Sequence, residues 1–355
     1  MARILYAVHG EGMGHAIRSK VVIEHLKEQK HEIIIAAGGR AFDFLSKHFD
    51  NVHSIDCYNI VYKNNRAMNI DTVFLFAKRF PKTLVKNFNR LLRIIIGFRP
   101  EIVITDFEPF SNFVSRLFKI PVIAIDNISI MLEAKISIPS DKLMSFFTAA
   151  VVAKAFARID ADRHIIPTFF YPELKNPKKT VLVPPVLRKE ILSAKASRKS
   201  HILVYQTSSS NRELVRTMKK VNEKFVVYGF NKDKRDRKIT FRKFSEKNFI
   251  RDLASCRAVI ANGGFNVLSE AIYLRKPVLS IPVKNQFEQI LNAAYVERLG
   301  YGCHCPSASV SAISNFVKKI PSFEKNLKKY RQEGNKALFR EVDNGIRELT
   351  KMPQN

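Results

Sequence analysis

The stretch Ala258-Val259-Ile260-Ala261-Asn262-Gly263-Gly264-Phe265-Asn266-Val267-Leu268-Ser269-Glu270 passes from a four-residue apolar run through a glycine pair into a pattern of helical period. It predicts a buried strand over 258–261, a tight turn at Asn262-Gly263-Gly264 and a helix over about 266–274. A second strand is expected over 277–281. Beyond it, Pro282-Val283-Lys284-Asn285-Gln286-Phe287-Glu288-Gln289 leads into another helix that ends at Leu299-Gly300. This is a βαβα unit, the building block of a parallel sheet covered by helices.

Glycines at a strand-to-helix turn let a ligand approach the backbone. The open amides and positive dipole end of the helix then favour an anion such as a diphosphate. Glu270, one turn inside that helix, could accept both hydrogen bonds of a ribose diol. Gln286, Glu288 and Gln289 fall at the carboxyl end of the next strand, where open α/β sheets bind ligands, and they suit sugar hydroxyls. Taken singly, each residue also fits a plainer role: a bare turn at Gly263-Gly264, an N-cap at Asn266, a dipole-compensating acid at Glu270.

Together, Gly263-Gly264, Ser269-Glu270-Ala271, Lys276-Pro277-Val278-Leu279, Ile281-Pro282, Gln286-Phe287-Glu288-Gln289, Asn292-Ala293 and Leu299-Gly300-Tyr301-Gly302 resemble the donor signature of GT-B glycosyltransferases. The nearest resemblance is to the family-28 group that includes MurG and archaeal and bacterial relatives. It implies two Rossmann-like doubly wound α/β domains facing a cleft, with Glu270 on the ribose and the glutamine-rich segment on the donor sugar. Many relatives carry Asp-Gln where this chain has Glu288-Gln289, a departure at the residues that would read the sugar.

The amino terminus repeats the pattern. A β-rich run over 3–8 ends at His9 and is followed by Gly10-Glu11-Gly12-Met13-Gly14-His15, an amphipathic helix to about 29 and a strand over 32–37. The glycine spacing is not that of a dinucleotide fingerprint, and the second strand ends in Gly38-Gly39-Arg40 without the acid that would hold an NAD ribose. Arg40 facing a 2′-phosphate keeps an NADP enzyme open as a minor alternative. The loop with Gly10, Gly12 and Gly14 and with His15 at its edge resembles the acceptor-side loop of the same glycosyltransferases. A histidine, ordinarily titrating near 6.5, suits removal of a proton from an attacking hydroxyl. It also suits packing or capping. His9 reads as structural.

Residues 70–98 are expected to be helical with a break at Pro81. They mix Phe74, Phe76, Phe80, Phe88 and Ile94 to Ile96 with Lys78, Arg79, Lys82, Lys86, Arg90 and Arg93, as on a helix lying at an anionic membrane surface or a core helix with a basic solvent face. A strand over 101–105 delivers Asp106, which by the resemblance would support His15. Further strands are expected over 120–125 and 181–183, with a helix over 144–158 between them. Asp160-Ala161-Asp162 reads as a polar loop. Residues 1–186 form the expected acceptor domain, 187–200 a linker, 201–330 the donor domain, and 331–355 a helical segment that could cross back to the first. Ser208 and Ser209, in the turn after a strand over 201–205, are expected to cradle the diphosphate.

With 355 residues the chain has room for two domains of ordinary size, and 46% hydrophobic with 26% charged residues is a globular composition. No apolar run reaches the roughly 18 residues that span a bilayer, and the first strand begins right after Met1, so a cytoplasmic protein is expected. Four scattered cysteines, Cys57, Cys256, Cys303 and Cys305, give neither a disulfide framework nor zinc spacing. The net charge of +28 predicts attraction to a polyanion, an anionic membrane face or nucleic acid.

The expected reaction is therefore transfer of a sugar from a nucleotide-sugar, a UDP-sugar, to a lipid-linked or cell-envelope acceptor at the inner membrane face. It would be inverting, with no metal and no cofactor beyond the donor. The rivals are a basic nucleic-acid-binding protein on an inactive scaffold and a sugar-nucleotide epimerase of the same fold.

Overall fold

The computed structural model describes residues 1–10, 12–57, 62–63, 66–67, 69–136, 161–206 and 212–350, with the backbone alone over 62–80 and at 212. The expected helix over 144–158, Asp160 and the turn with Ser208 and Ser209 lie outside the described residues. The chain forms two compact units. One comprises residues 1–61, 68–186 and 333–355, the other residues 62–67 and 187–332.

The first unit opens with β1 (Arg3–Val8), β2 (Glu32–Gly38) and β3 (Val52–Ile55), after which a separate antiparallel pair, β4 (Tyr62–Lys63) and β5 (Arg66–Ala67), falls to the other unit. The main sheet then continues with β6 (Ile102–Asp106), β7 (Val122–Ile125), β8 (Arg163–Pro167) and β9 (Thr180–Val183). These seven strands lie parallel in the order β3-β2-β1-β6-β7-β8-β9. β1 shows why its sequence reads as one apolar run. Ile4, Tyr6 and Val8 face one helix layer and Leu5 and Ala7 the other, so both faces are covered. The helix Met13–Glu28 contributes Val22, Ile23 and Leu26 to the first layer, and the helix Asn69–Phe98 contributes Leu91, Ile94 and Ile95 to the second.

That second helix does not break at Pro81; it runs unbroken from Asn69 to Phe98. A proline removes one backbone donor and crowds the preceding turn, at a cost of roughly 3 kcal/mol. Burial of Leu91, Ile94 and Ile95, with Leu84 and Phe88 partly covered, offsets that cost on a 30-residue helix.

The second unit holds β10 (His201–Tyr205), β11 (Lys224–Tyr228), β12 (Lys234–Asp236), β13 (Ile239–Phe241), β14 (Ala258–Ala261), β15 (Val278–Ser280) and β16 (Gly302–His304). Their order is β12-β13-β11-β10-β14-β15-β16, with only the edge strand β12 antiparallel. The residues expected as a linker join this unit, and Leu187 and Ile191 are fully buried in it.

The last helix, Lys336–Thr350, packs against the first unit's sheet. Leu338, Val342 and Ile346 enter the same apolar cluster as Ile4 and Ile104. Its polar flank is pinned as well. His25 stacks on Phe339 at 4.0 Å and hydrogen-bonds Asp343 at 2.9 Å, while Arg163 reaches Glu341 at 2.6 Å and Glu348 at 2.7 Å. Replacing Ile346 by Ala should therefore destabilise the first unit by about 2–5 kcal/mol, the range for truncating a buried isoleucine. Urea unfolding reads this directly, and a loss below about 0.5 kcal/mol would show that the helix is not docked.

Candidate functional site

Each sheet reverses its strand order once, between β1 and β6 in the first unit and between β10 and β14 in the second. At such a switch point the following helices leave toward opposite faces, and the carboxyl ends of the two strands open a crevice for ligands. His15 and Asp106 stand at the first of these places, and Asn262 with the glycine pair at the second.

In the first unit Gly10 follows β1 where a Cβ would lie 2.4 Å from the Cys57 sulfur and 2.5 Å from the Gly38 carbonyl carbon, so no larger residue fits that approach. Gly12 is the N-cap of the helix Met13–Glu28, and Gly14 and His15 occupy its first turn. His15 Nδ1 lies 2.7 Å from Asp106 Oδ1 at the end of β6, joining the two residues expected to act together. Asp106 is fully buried and the His15 side chain is 14% exposed.

Three further groups complete the arrangement, and none was foreseen from the sequence. Arg18 Nε donates to Asp106 Oδ2 at 2.9 Å and Nη2 to Oδ1 at 2.6 Å, a two-pronged charge-assisted contact. Its Nη1 donates to Asn127 Oδ1 at 2.8 Å, beyond the end of β7. Ser19 Oγ donates to Asp106 Oδ2 at 3.1 Å. Arg18 is three residues after His15, hence on the same helical face, and a cation at the spacing of the apolar Val21 and Val22 was the one available signal. Burial works against the charge on Asp106, but Arg18 and then His15 outweigh it and hold the carboxyl down at about 2. Because that value lies below the ordinary 3.8, the pair stabilises this unit above that pH and its contribution is lost as pH falls through about 2.

An ionised Asp106 fixes the histidine tautomer. The carboxylate only accepts, so in the neutral ring Nδ1 carries the proton and Nε2 the lone pair. Arg18 Nη2 also stands 3.2 Å from Nδ1, but both groups then bear hydrogen, so the shorter carboxylate contact decides. His9 meets His15 edge-on at 5.7 Å. Burial, and then the nearby His15, push the His9 imidazole down to about 3, so it packs as a neutral ring. Phe107, between Asp106 and the helix-capping Glu108, has a left-handed φ of 56° and lays its ring nearly parallel to His15 at 6.0 Å. The turn is closed by Glu108 N donating to Thr105 Oγ1 at 3.0 Å. Asp162 is occupied structurally, accepting from Val122 N at 2.8 Å and from Arg116 at 3.2 Å.

In the second unit β14 ends at Ala261, and Asn262 Nδ2 donates to Gln206 Oε1 across the switch point at 3.1 Å. Gly263 has φ 97°, and a Cβ there would meet the Gln289 carbonyl at 2.8 Å and Ser280 Oγ at 2.9 Å. Only glycine meets both demands. Gly264 is the N-cap of the helix Phe265–Tyr273, so Asn266 is its second residue and not its cap. Asn292 Nδ2 donates to Gly263 O at 3.1 Å and holds the turn from the far side.

Glu270 is buried, and Arg188 takes both of its oxygens, Nε to Oε1 at 2.8 Å and Nη2 to Oε2 at 2.9 Å. Arg188 Nη1 also donates to Glu246 Oε1 at 2.7 Å. Burial pushes the Glu270 carboxyl up and Arg188 pulls against it. The two-pronged geometry is that of an ionised carboxylate, each oxygen of which keeps acceptor capacity beyond the one Arg188 bond. Gln286 accepts from Gln289 N at 2.8 Å as the N-cap of the helix Phe287–Arg298, which also carries Glu288 in its first turn. Gln289 Oε1 accepts from Val283 N at 2.9 Å. The carbonyl oxygens of both glutamines thus build the turn, and what each can offer a ligand is its amide N–H group.

The chain matches the model of glycosyl transferase family 1 over residues 2–321. It is 25% identical over 325 residues to a glycosyltransferase of Methanosarcina mazei, covering 84% of each chain. It is also 26% identical over 195 residues to the UDP-N-acetylglucosamine–N-acetylmuramyl-(pentapeptide) pyrophosphoryl-undecaprenol N-acetylglucosamine transferase 3 of Bacillus cereus, covering 48% of this chain and 54% of that one. Among solved structures it resembles the glycosyltransferase of kitacinnamycin at TM-score 0.70 and 14% identity, covering 97% of this chain and 99% of that one. It also resembles MurG of Acinetobacter baumannii at 0.63 and 14%, covering 97% and 100%, and UGT2 of Phytolacca americana in complex with UDP-2fluoro-glucose and pterostilbene at 0.69 and 13%, covering 98% and 99%. Two parallel Rossmann-like sheets and a family match over nine-tenths of the sequence identify the chain as a GT-B glycosyltransferase that belongs to glycosyl transferase family 1.

Proposed function

We propose that this glycosyltransferase moves a sugar from a UDP-sugar to a hydroxyl of a lipid-linked acceptor at an anionic membrane face, with inversion at the anomeric carbon. The observation that carries the reading is the contact between His15 Nδ1 and the buried carboxylate of Asp106 at 2.7 Å, which leaves Nε2 as the proton acceptor. The acceptor hydroxyl passes its proton to Nε2 as its oxygen bonds to the anomeric carbon. The bond from that carbon to the diphosphate breaks, and the diphosphate leaves with the electron pair. Donor binding falls to the second unit: Glu270 on the ribose diol, the amides after Gly264 and residues Ser208 and Ser209 on the diphosphate, and Gln286, Glu288 and Gln289 on the sugar. The nucleotide is supported by the UDP-2fluoro-glucose of the Phytolacca americana structure and the UDP-N-acetylglucosamine in the name of the Bacillus cereus relative.

A membrane face is supported by the first unit's surface. On the helix Asn69–Phe98, Val85 and Ile96 are both 61% exposed beside exposed Lys82 and Arg93. On the helix Pro109–Leu117, Phe113 and Leu117 are 51% and 58% exposed. Exposed apolar side chains rimmed by cations fit an anionic lipid surface, where each nearby Lys or Arg contributes about 1 kcal/mol. Among the described residues no helix is long and apolar enough to cross a membrane.

Four measurements test this reading. Nucleoside diphosphates and their sugars should raise the melting temperature. Glu270→Gln, which keeps the side chain's shape, should weaken UDP binding by about 1.5–3 kcal/mol by calorimetry. Unchanged affinity would remove Glu270 from the site. His15→Ala should lower turnover roughly 10²–10⁴-fold with donor affinity nearly intact. Loss of donor binding at normal turnover would assign it another role. Vesicles containing anionic lipid should bind the protein more than neutral vesicles do, less so at high salt, and less again for Phe113→Ser with Leu117→Ser. Indifference to anionic vesicles at low salt together with retention of RNA or DNA would favour nucleic acid as the polyanion.

A further inference from the structure

The carboxylate that holds the candidate base does not face His15 alone. We infer that Arg18 is a positioning residue: by neutralising Asp106 it lets that carboxylate orient the His15 ring without drawing a second proton onto it. The inference rests on the proposed role of His15 as proton acceptor. Arg18 is 3% exposed and touches both oxygens of a fully buried Asp106. Its Nη2 stands 3.2 Å from His15 Nδ1, nearly as close as the carboxylate oxygen at 2.7 Å. The two charges therefore act on the ring from similar distances and with opposite sign. What survives the cancellation is directional: one accepting oxygen on Nδ1.

The surroundings do not restore the imbalance. From β1, His9 is held neutral by its burial, and the Tyr6 hydroxyl is kept in its neutral form, chiefly by burial and then by the Asp106 charge. From the loop after β7, Asp126 accepts from Ser129 N at 2.7 Å and Ser129 Oγ at 2.8 Å, and its charge falls on Arg18. Asn127 fixes Arg18 Nη1 and brings no charge. Phe107, parallel to the ring, is apolar. Among the described residues, Asp106 and Arg18 are the charged groups within hydrogen-bond distance of His15 Nδ1.

An uncompensated carboxylate within hydrogen-bond distance favours the protonated partner by about 1–3 pH units, and an uncompensated cation disfavours it. The two halves of the pair therefore have opposite signatures. In Arg18→Met the ring should be doubly protonated at neutral pH, and the acid limb of turnover should move up by about 1–3 pH units, with activity recovered on the alkaline side. In Asp106→Asn the remaining Arg18 charge should move the limb down. Arg18→Lys, which keeps a cation there, should return the limb most of the way. ¹⁵N NMR of His15 reads the ring state in the whole protein with no substrate present, so this holds or fails apart from the sugar-transfer reading. Should Arg18→Met not fold, Arg18→Gln, which keeps hydrogen-bond donors without the charge, carries the test, with the same upward movement expected. Limbs and ring signals that stay put, or that move the same way in both variants, would reduce Arg18 to a structural ion pair.

Discussion

A parallel sheet cannot turn back on itself through hairpins; each strand needs a crossover, usually a helix, to carry the chain back to the starting edge. That constraint shapes both units. It buries β1 and β14 on both faces, which is why they read as unbroken apolar runs, and it sends every crossover out from the carboxyl ends of the strands. The one place where the chain must choose between the two faces is the switch point. There His15 and Asp106 meet in the first unit, and Asn262 and Gln206 in the second.

Both units also bury a two-pronged arginine–carboxylate contact at that end of the sheet, Arg18 with Asp106 and Arg188 with Glu270. Such pairs rarely add much stability, because removing two charges from water costs nearly as much as their attraction returns. Their value lies in direction. A carboxylate gripped on both oxygens cannot rotate, so the imidazole that Asp106 holds in the first unit is held in one orientation. Glu246 extends the grip on Arg188, and Asn127 extends the grip on Arg18.

The high positive charge is distributed differently from these paired arginines. Arg18 and Arg188 are spent inside the units, whereas Lys82 and Arg93 stand exposed among apolar neighbours on a helix already committed to the core by Leu91, Ile94 and Ile95. One helix thus satisfies two environments. Its buried stripe packs in the core, and its outer face carries Lys82 and Arg93 exposed.

Much of this was legible in the sequence because it is written in local periods. The strands at 3–8, 201–205 and 258–261, the glycine turns that follow the first and third, and the helices after those turns depend on residues adjacent in the chain, and they fall within a residue or two of expectation. His15, Asp106 and Glu270 could be singled out because each stands at a strand end or one turn into a helix. Their partners could not. Arg18 grips a carboxylate 88 residues away and Arg188 one 82 residues away, and no spacing rule links positions so far apart. Arg188 sits in a tract whose composition reads as linker, and its burial exists only once the second sheet forms. The uninterrupted passage through Pro81 has the same origin, since the local penalty is visible in the chain while the burial that offsets it belongs to the assembled core. Local pattern determined where the strands end; the tertiary structure alone decided which charges meet there, because a buried charge chooses its partner in space and not along the chain.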